Sequence, residues 1–256
     1  MQFLRPVVRP VLRGLQDQSY GRRVGFYPAT LYVSGQAGLW YEPSTISTLY
    51  QDNAGTTAVT ASGQQVGKES DKSGRANHAF QATGPSRPTY TVVSSIPFLA
   101  YDGVDDGIAT AGFATGTLTA DMDCFIAIKR TAATSGVPAS IAESAVNNLF
   151  GFFNPGSGIS ATFGSGSPTY AVNGVDVAGG TATTAGQLEA VMPINNWLIL
   201  ETRNVSLSAY DKFCISSYPT LRVTGQIGSV ILCPAQSTAS RNSIRTYMGN
   251  QVGLTL

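Results

Sequence analysis

The chain has 256 residues, of which 43% are hydrophobic and 12% are charged. This length is sufficient for a sizeable hydrophobic core. Charged residues are about half as frequent as in an average globular protein. A surface with so few charges favours association into a homo-oligomer. The net charge of +1 leaves no overall field that would attract nucleic acid or an anionic membrane.

Residues 1–30 are predicted to form an extended arm, because Pro6 and Pro10 oppose a regular helix. Arginines recur every fourth residue between apolar residues. That mixture suits a groove on a partner protein better than the phosphates of nucleic acid, because binding to phosphates depends on positive charge alone. An unattached arm and a nucleic-acid-binding arm are the alternatives. The predicted docking residues are Phe3, Leu4, Arg5, Val7, Val8, Arg9, Val11, Leu12 and Arg13.

Residues 31–256 are predicted to form one domain, which opens with a loop-rich entry segment over residues 31–97. Turn signals at residues 53–55 and 62–63 interrupt this segment. A short helical turn is predicted within residues 44–50, and a strand over residues 89–93. The entry segment therefore leads irregularly into the β-rich part of the chain.

From about residue 98, short apolar runs alternate with Gly, Ser, Thr, Asn and Pro clusters, a pattern typical of strands joined by turns. Residues 124–129 lack strict alternation and predict a strand that is buried on both faces. Asn173-Gly174 favours a hairpin turn. Ten to twelve such strands indicate an all-β antiparallel sandwich or jelly roll. The predicted strands cover residues 98–101, 107–111, 124–130, 149–153, 159–163, 169–172, 188–192, 197–203, 206–214 and 228–233.

The chain is predicted to close with a short helix over residues 238–248. Thr238 or Ser240 is the expected N-cap, and Gly249 is expected to end the helix. The residues predicted to face inward are Ile244, Tyr247 and Met248.

Cys124, Cys214 and Cys233 are an odd number of cysteines in apolar surroundings. They are expected to be buried, reduced side chains, which indicates synthesis in a reducing cytoplasm. No run of about 18 apolar residues predicts a membrane span. The first residues lack the continuous apolar region of a signal peptide.

Two motifs carry a resemblance. The pattern D-x-S-G-x-x-N-H at residues 71–78 and the pattern Y-D-G-x-D-D at residues 101–106 resemble turns in the laminin-G/concanavalin-A-like jelly rolls of phage and prophage proteins. Residues 225–232 and the helix after them resemble that family's closing strand and terminal helix. Residues 49–60 are similar to a segment of tail-region proteins of tailed bacteriophages. The resemblance spans residues 38–250 and implies a two-sheet fold and a virion-associated role, but no activity.

The residues offer little for catalysis. A serine hydrolase would need His78, the single histidine, as its base, yet no G-x-S-x-G turn surrounds Ser73. We interpret residues 71–78 as a turn whose side chains bond to their own backbone. The glutamates do not form the E-x-D-x-x-E run that related glucanases use. The glutamates are Glu42, Glu69, Glu143, Glu189 and Glu201.

Two binding sites are considered. Asp102, Asp105 and Asp106 are a candidate structural calcium site, because calcium takes six to eight oxygen ligands, with capping of a turn as the alternative. Trp40 and Tyr41 are a candidate glycan platform if they are exposed, although a tryptophan beside leucine is more often in a core. Trp197, in an apolar run, is predicted to be core.

The favoured hypothesis is a non-enzymatic structural protein of a tailed-phage virion, made in the host cytoplasm without a signal peptide. Its arm would dock onto a tail, fibre or capsid component, and its jelly roll would be displayed outward. A receptor- or glycan-binding adhesion module of the tail is the alternative, and a glycan depolymerase is less favoured. Neither nucleic acid nor membrane insertion is expected.

Overall fold

The computed structural model describes residues 25–113, 118, 121–132, 139–143, 148–151, 168–179, 185–207, 212–216 and 222–256. The strands in these ranges are β1 (Leu39–Tyr41), β2 (Leu49–Tyr50), β3 (Lys68–Glu69), β4 (Ala79–Phe80), β5 (Thr89–Val93), β6 (Ile96–Asp102), β7 (Ile108–Thr110), β8 (Met122–Arg130), β9 (Ala139–Glu143), β10 (Asn148–Gly151), β11 (Thr169–Val172), β12 (Val175–Asp176), β13 (Leu198–Val205), β14 (Lys212–Ile215) and β15 (Thr224–Pro234). The helices are α1 (Ala185–Ala190) and α2 (Thr238–Gln251), with short 3₁₀ helices at Pro28–Tyr32, Ile46–Thr48 and Gly84–Ser86.

The described strands form two antiparallel sheets. The larger sheet has eight strands in the order β12-β11-β13-β8-β15-β6-β5, with β1 also paired to β15. The smaller sheet has seven strands in the order β10-β9-β14-β7-β4-β3-β2. The predicted all-β, two-sheet antiparallel architecture and its short C-terminal helix are therefore confirmed.

The core lies in two layers because the larger sheet is covered on both faces. Along β8, Cys124, Ile126 and Ile128 belong to the main core, which both sheets share. Phe125 and Ala127 point the other way, into a second cluster beneath α2. This arrangement confirms the predicted strand with two buried faces. We call the second cluster the outer core; it consists of Tyr32, Trp40, Phe125, Ala127, Ile199, Ile231, Cys233, Ile244, Met248 and Val252.

Several local predictions were confirmed, but the strand predicted at residues 206–214 is wrong at its start, since residues 206 and 207 follow β13 outside any strand and β14 begins at Lys212. Strands β5 and β11 have the predicted bounds, and Asn173-Gly174 makes the β11–β12 hairpin turn with φ angles of 52° and 83°. The predicted strand at residues 188–192 is wrong, since α1 and the turn after it occupy this region. Leu188 and Met192 are both buried, and their four-residue spacing suits one face of a helical turn. The strand predicted at residues 159–163 lies outside the described residues.

Helix α2 differs from its prediction at both ends. Ser237 is the N-cap, and its side chain accepts the Ser240 N–H, so neither Thr238 nor Ser240 takes that role. The helix continues past Gly249 to Gln251. Ile244 and Met248 are buried in the outer core as predicted.

The predicted chemistry of the cysteines agrees with the structure. Cys124, Cys214 and Cys233 are buried thiols that form no disulfide with one another. Burial raises the pKa of the Cys124 and Cys233 thiols well above the usual range. No helix in the described part of the chain is long and apolar enough to cross a lipid bilayer.

Candidate functional site

Residues 25–32 pack on the outer core, although the arm was predicted to reach residue 30. The ring of Phe26 meets Tyr247 of α2 edge-on at 6.2 Å, and the ring of Tyr27 meets Trp40 at 5.1 Å. The Tyr32 hydroxyl donates to the carbonyl of Leu39 at 2.7 Å. The end of the predicted arm therefore belongs to the domain. All the predicted docking residues of the arm lie outside the described residues.

A cavity of about 350 Å³ lies where residue 25 meets α2. Phe26 and Tyr247 give it an apolar wall, while α2 contributes short polar side chains. We call this cavity the helix groove. Its lining residues are Gly25, Phe26, Asn242, Ser243, Thr246, Tyr247 and Asn250.

Trp40 and Tyr41 do not form an exposed glycan platform. Their side chains are 1% and 0% exposed, because α2 covers β1 on one face and the main core covers it on the other. The Tyr41 hydroxyl donates to the carbonyl of Asn77. The predicted alternative, a tryptophan within the core, is the arrangement found.

The motif at residues 71–78 is a turn, as interpreted from the sequence, but it also bonds to β1, and Asp71 and Ser73 are buried. The Asp71 carboxylate accepts the backbone N–H groups of Trp40, Ser73 and Asn77 at 2.9, 2.9 and 3.0 Å. His78 Nδ1 accepts the Asp71 N–H at 3.0 Å. Burial and the nearby Lys68 lower the pKa of His78.

This geometry engages His78 Nδ1 in a hydrogen bond to the backbone. A neutral imidazole whose Nδ1 accepts a hydrogen bond carries its proton on Nε2, and so offers no second accepting nitrogen. The Ser73 hydroxyl donates to the Asp71 carboxylate at 2.7 Å rather than to the histidine. The serine-hydrolase arrangement weighed from the sequence is not assembled at this turn.

A buried network of charged and aromatic groups lies beside the motif. The Glu42 carboxylate meets Lys72 Nζ at 3.1 Å and accepts the Tyr247 hydroxyl at 2.9 Å. Lys72 Nζ also lies 4.0 Å from the centre of the Trp40 ring and donates to Thr45 Oγ1 at 2.6 Å. The network joins α2 to the entry segment. Its residues are too far apart in the sequence to be recognised there as a group.

Glu69 lies next to this network and is 1% exposed. Its carboxylate accepts the backbone N–H of Glu42, whose own charge is also close. Burial raises the pKa of Glu69 to about 8. Two neighbouring carboxylates with different environments are a pattern seen in glycosidases. Here, however, Glu42 is engaged by Lys72 and Tyr247, and Glu69 is enclosed in the interior.

The predicted calcium ligands Asp102, Asp105 and Asp106 do lie together, with one carboxylate oxygen from each within 4.8 Å of the others. Asp102 Oδ1 accepts the N–H groups of Val104 at 2.8 Å, Asp105 at 3.3 Å and Asp106 at 3.4 Å. Asp106 Oδ2 accepts the Asp102 N–H at 3.0 Å. Turn capping, the alternative weighed from the sequence, accounts for these oxygens.

The turn also depends on Gly103, whose φ of 79° suits glycine. A Cβ at this position would lie 1.9 Å from Thr224 Oγ1 on β15. The segment at residues 102–106 is therefore shaped by its backbone and by β15. Backbone donors occupy Asp102 Oδ1 and Asp106 Oδ2, and the Ser86 hydroxyl donates to Asp105 Oδ2 at 2.8 Å.

Asp102→Ala is expected to lower the free energy of unfolding by about 1–2 kcal/mol, because several backbone donors lose their acceptor. Adding EDTA to the wild-type protein should leave the melting temperature unchanged. Thermal melts with EDTA or with calcium measure both effects, and Asp105→Ala is the matched control because its carboxylate caps fewer groups. A calcium-dependent rise in melting temperature that Asp102→Ala abolishes would establish the metal site instead.

Sequence reasoning missed a second cavity, of about 490 Å³, around Trp197. Trp197 is only partly buried, although its apolar neighbours predicted a core position. It stands just before β13, at the end of the larger sheet. We call this cavity the Trp197 groove. Its lining residues are Val172, Asn173, Val191, Pro193, Asn195, Asn196, Trp197, Leu198, Val252, Gly253 and Leu254.

Of the other glutamates, Glu201 and Glu189 are ion-pair partners, and the side chain of Glu143 lies outside the described residues. Glu201 is 0% exposed and meets Arg203 at 2.8 Å and Arg245 at 2.9 Å. Glu189 lies 3.7 Å from Arg130.

Comparison with known proteins finds no matching family model, no matching curated protein and no matching solved structure.

Proposed function

We propose that this chain is a non-enzymatic structural protein of a tailed-phage particle. Residues 1–24 dock onto a tail, fibre or capsid component, and the sandwich is displayed outward as a jelly roll. The chain passes repeatedly between the two antiparallel sheets, from β6 to β7, β8 and β9 in turn, which supports a jelly-roll connection. The phage setting rests on the resemblance of residues 71–78 and 101–106.

The observation that carries the proposal is the packing of residues 25–32. Tyr32 donates to Leu39 and Leu232, and Phe26 packs against α2. An arm attached through such a segment is held at a defined place on the domain, so force or binding at the arm is transmitted to a folded core. Arm residues with alternating arginine and apolar side chains then suit an acidic, partly apolar groove on the particle.

The engagement of the polar groups also supports a role without catalysis. His78, Glu42 and Glu201 all bond within the fold, where they hold a loop, a strand and a helix in place.

Adhesion to a host glycan is the second candidate, and it is favoured by the Trp197 groove.

Removing residues 1–24 is expected to reduce incorporation into phage particles by at least about tenfold, because the docking surface is lost. Cells that supply the full chain or residues 25–256 to the phage would be compared by immunoblot of purified particles. Replacing residues 1–24 with a Gly/Ser linker of equal length separates length from chemistry. Equal incorporation of the truncated chain, or absence of the full chain from particles, would refute the proposal.

A further inference from the structure

We propose that the Trp197 groove is a binding site for an uncharged oligosaccharide. Three segments form its walls: the β11–β12 turn at Asn173, the loop at residues 191–197 and the residues after α2 at 252–254. Its volume of about 490 Å³ lies within the range of about 300–1,000 Å³ that is usual for small-molecule sites. The site is independent of the virion role, since residues 25–32 and the helix groove do not contribute to it.

Trp197 provides a rigid apolar surface. Its ring meets Phe98 edge-on, with centroids 5.8 Å apart and planes at 61°. Phe98 is 2% exposed, so this contact fixes the indole against the interior while another part of the ring lines the groove. A sugar ring has an apolar C–H face that stacks on such an aromatic surface, and tryptophan offers the largest one.

Asparagine side chains surround this surface. Asn173 Oδ1 accepts the Ile199 N–H at 2.8 Å, which directs its NH₂ group away from β13. Asn195 has a φ of 64°, and its N–H donates to the Arg130 carbonyl at 2.7 Å, so the loop backbone is held in place. Asn195 and Asn196 are exposed. An amide offers both donors and an acceptor, which matches hydroxyl groups that donate and accept at once.

The described lining residues carry no charge, which favours an uncharged ligand over a charged one. None of the described residues that line the Trp197 groove is ionisable. Among these lining residues an anionic sugar or a phosphate finds no cation, and a basic peptide finds no carboxylate. The nearby Arg245, which packs on Gly174, is already paired with Glu201. The combination of an aromatic platform, amides and small apolar residues instead fits a neutral sugar, whose polar groups need hydrogen bonds without counter-ions.

The test uses the full chain and a panel of neutral oligosaccharides: cellohexaose, maltohexaose, mannohexaose, xylohexaose and chitohexaose. Saturation-transfer NMR and tryptophan fluorescence should detect binding of at least one of them. Trp197→Ala and Asn196→Ala should each weaken that binding by about tenfold. Tyr27→Ala removes an exposed aromatic outside the groove and should leave the affinity unchanged.

Asn196→Ala keeps the test decisive if Trp197→Ala fails to fold, because Asn196 is exposed and its removal leaves the Phe98 contact intact. Binding of hyaluronan or polysialic acid in preference to every neutral sugar would overturn the proposal. The proposal would also be overturned if no oligosaccharide of the panel bound, or if a folded Asn196→Ala variant bound with full affinity. Each of these results leaves the particle-incorporation experiment unaffected, so failure of this site and failure of the virion role are distinguishable.

Discussion

Asp123→Ala is expected to lower the free energy of unfolding by about 3–5 kcal/mol, because a partly buried arginine and two backbone donors lose a fully buried carboxylate. Asp123, on β8, is 0% exposed. Its carboxylate meets Arg241 of α2 at 2.8 Å and accepts the N–H groups of Asn204 at 3.0 Å and Gln236 at 2.9 Å. One side chain thus joins a central strand, the bulged end of β13 and the start of the covering helix.

Urea denaturation followed by circular dichroism measures this change. Asp176→Ala is the matched control, because Asp176 also pairs with an arginine, Arg203, but its side chain is 76% exposed. An exposed ion pair contributes only about 0–1 kcal/mol. If the two variants lose similar stability, Asp123 does not hold α2 on the sheet, and the helix is retained by apolar contacts alone.

The sequence predicts burial well where burial depends on neighbours in the chain. The unbroken apolar run in β8 indicated two covered faces, and α2 and the smaller sheet provide the two covers. Residues 188–192 were assigned to the wrong element because apolar residues four apart fit a short helix as well as a strand. The alternating pattern of a strand is informative only over several residues.

The candidate sites were harder to predict because they depend on contacts between distant residues. Trp40 is covered partly through Tyr247, and Glu42 bonds to the same residue, 205 positions further along the chain. The residues next to Trp40 in the sequence do not indicate that Tyr247 of α2 covers it. Conversely, Trp197 is surrounded by apolar residues in the sequence but stands at the end of a strand, where the sheet no longer encloses it.

Glu69→Gln is expected to stabilise the protein increasingly as the pH rises, by roughly 4 kcal/mol at pH 8. Burial raises the pKa of Glu69 to about 8 in the folded protein, from an ordinary value of 4.5. Between these two values the unfolded chain has released the proton while the folded chain keeps it. The stability contributed by protonated Glu69 is therefore complete below about pH 4.5 and is lost as the pH rises towards 8.

Glutamine preserves the size of the side chain and the oxygen that accepts the Glu42 N–H, but it cannot ionise. Urea denaturation at pH 5, 6.5 and 8 should give a difference in unfolding free energy between variant and wild type that is small at pH 5 and grows steadily.

Asp106, whose pKa burial raises to about 6, also titrates in this window. Its contribution is present in both proteins and cancels in the difference. Asp121→Asn, at an exposed position, is the matched control for removing a carboxylate. A pH-independent difference for Glu69→Gln would mean that Glu69 is ionised in the folded state. Its buried charge would then be compensated by Lys72, and the two neighbouring glutamates would share one cation.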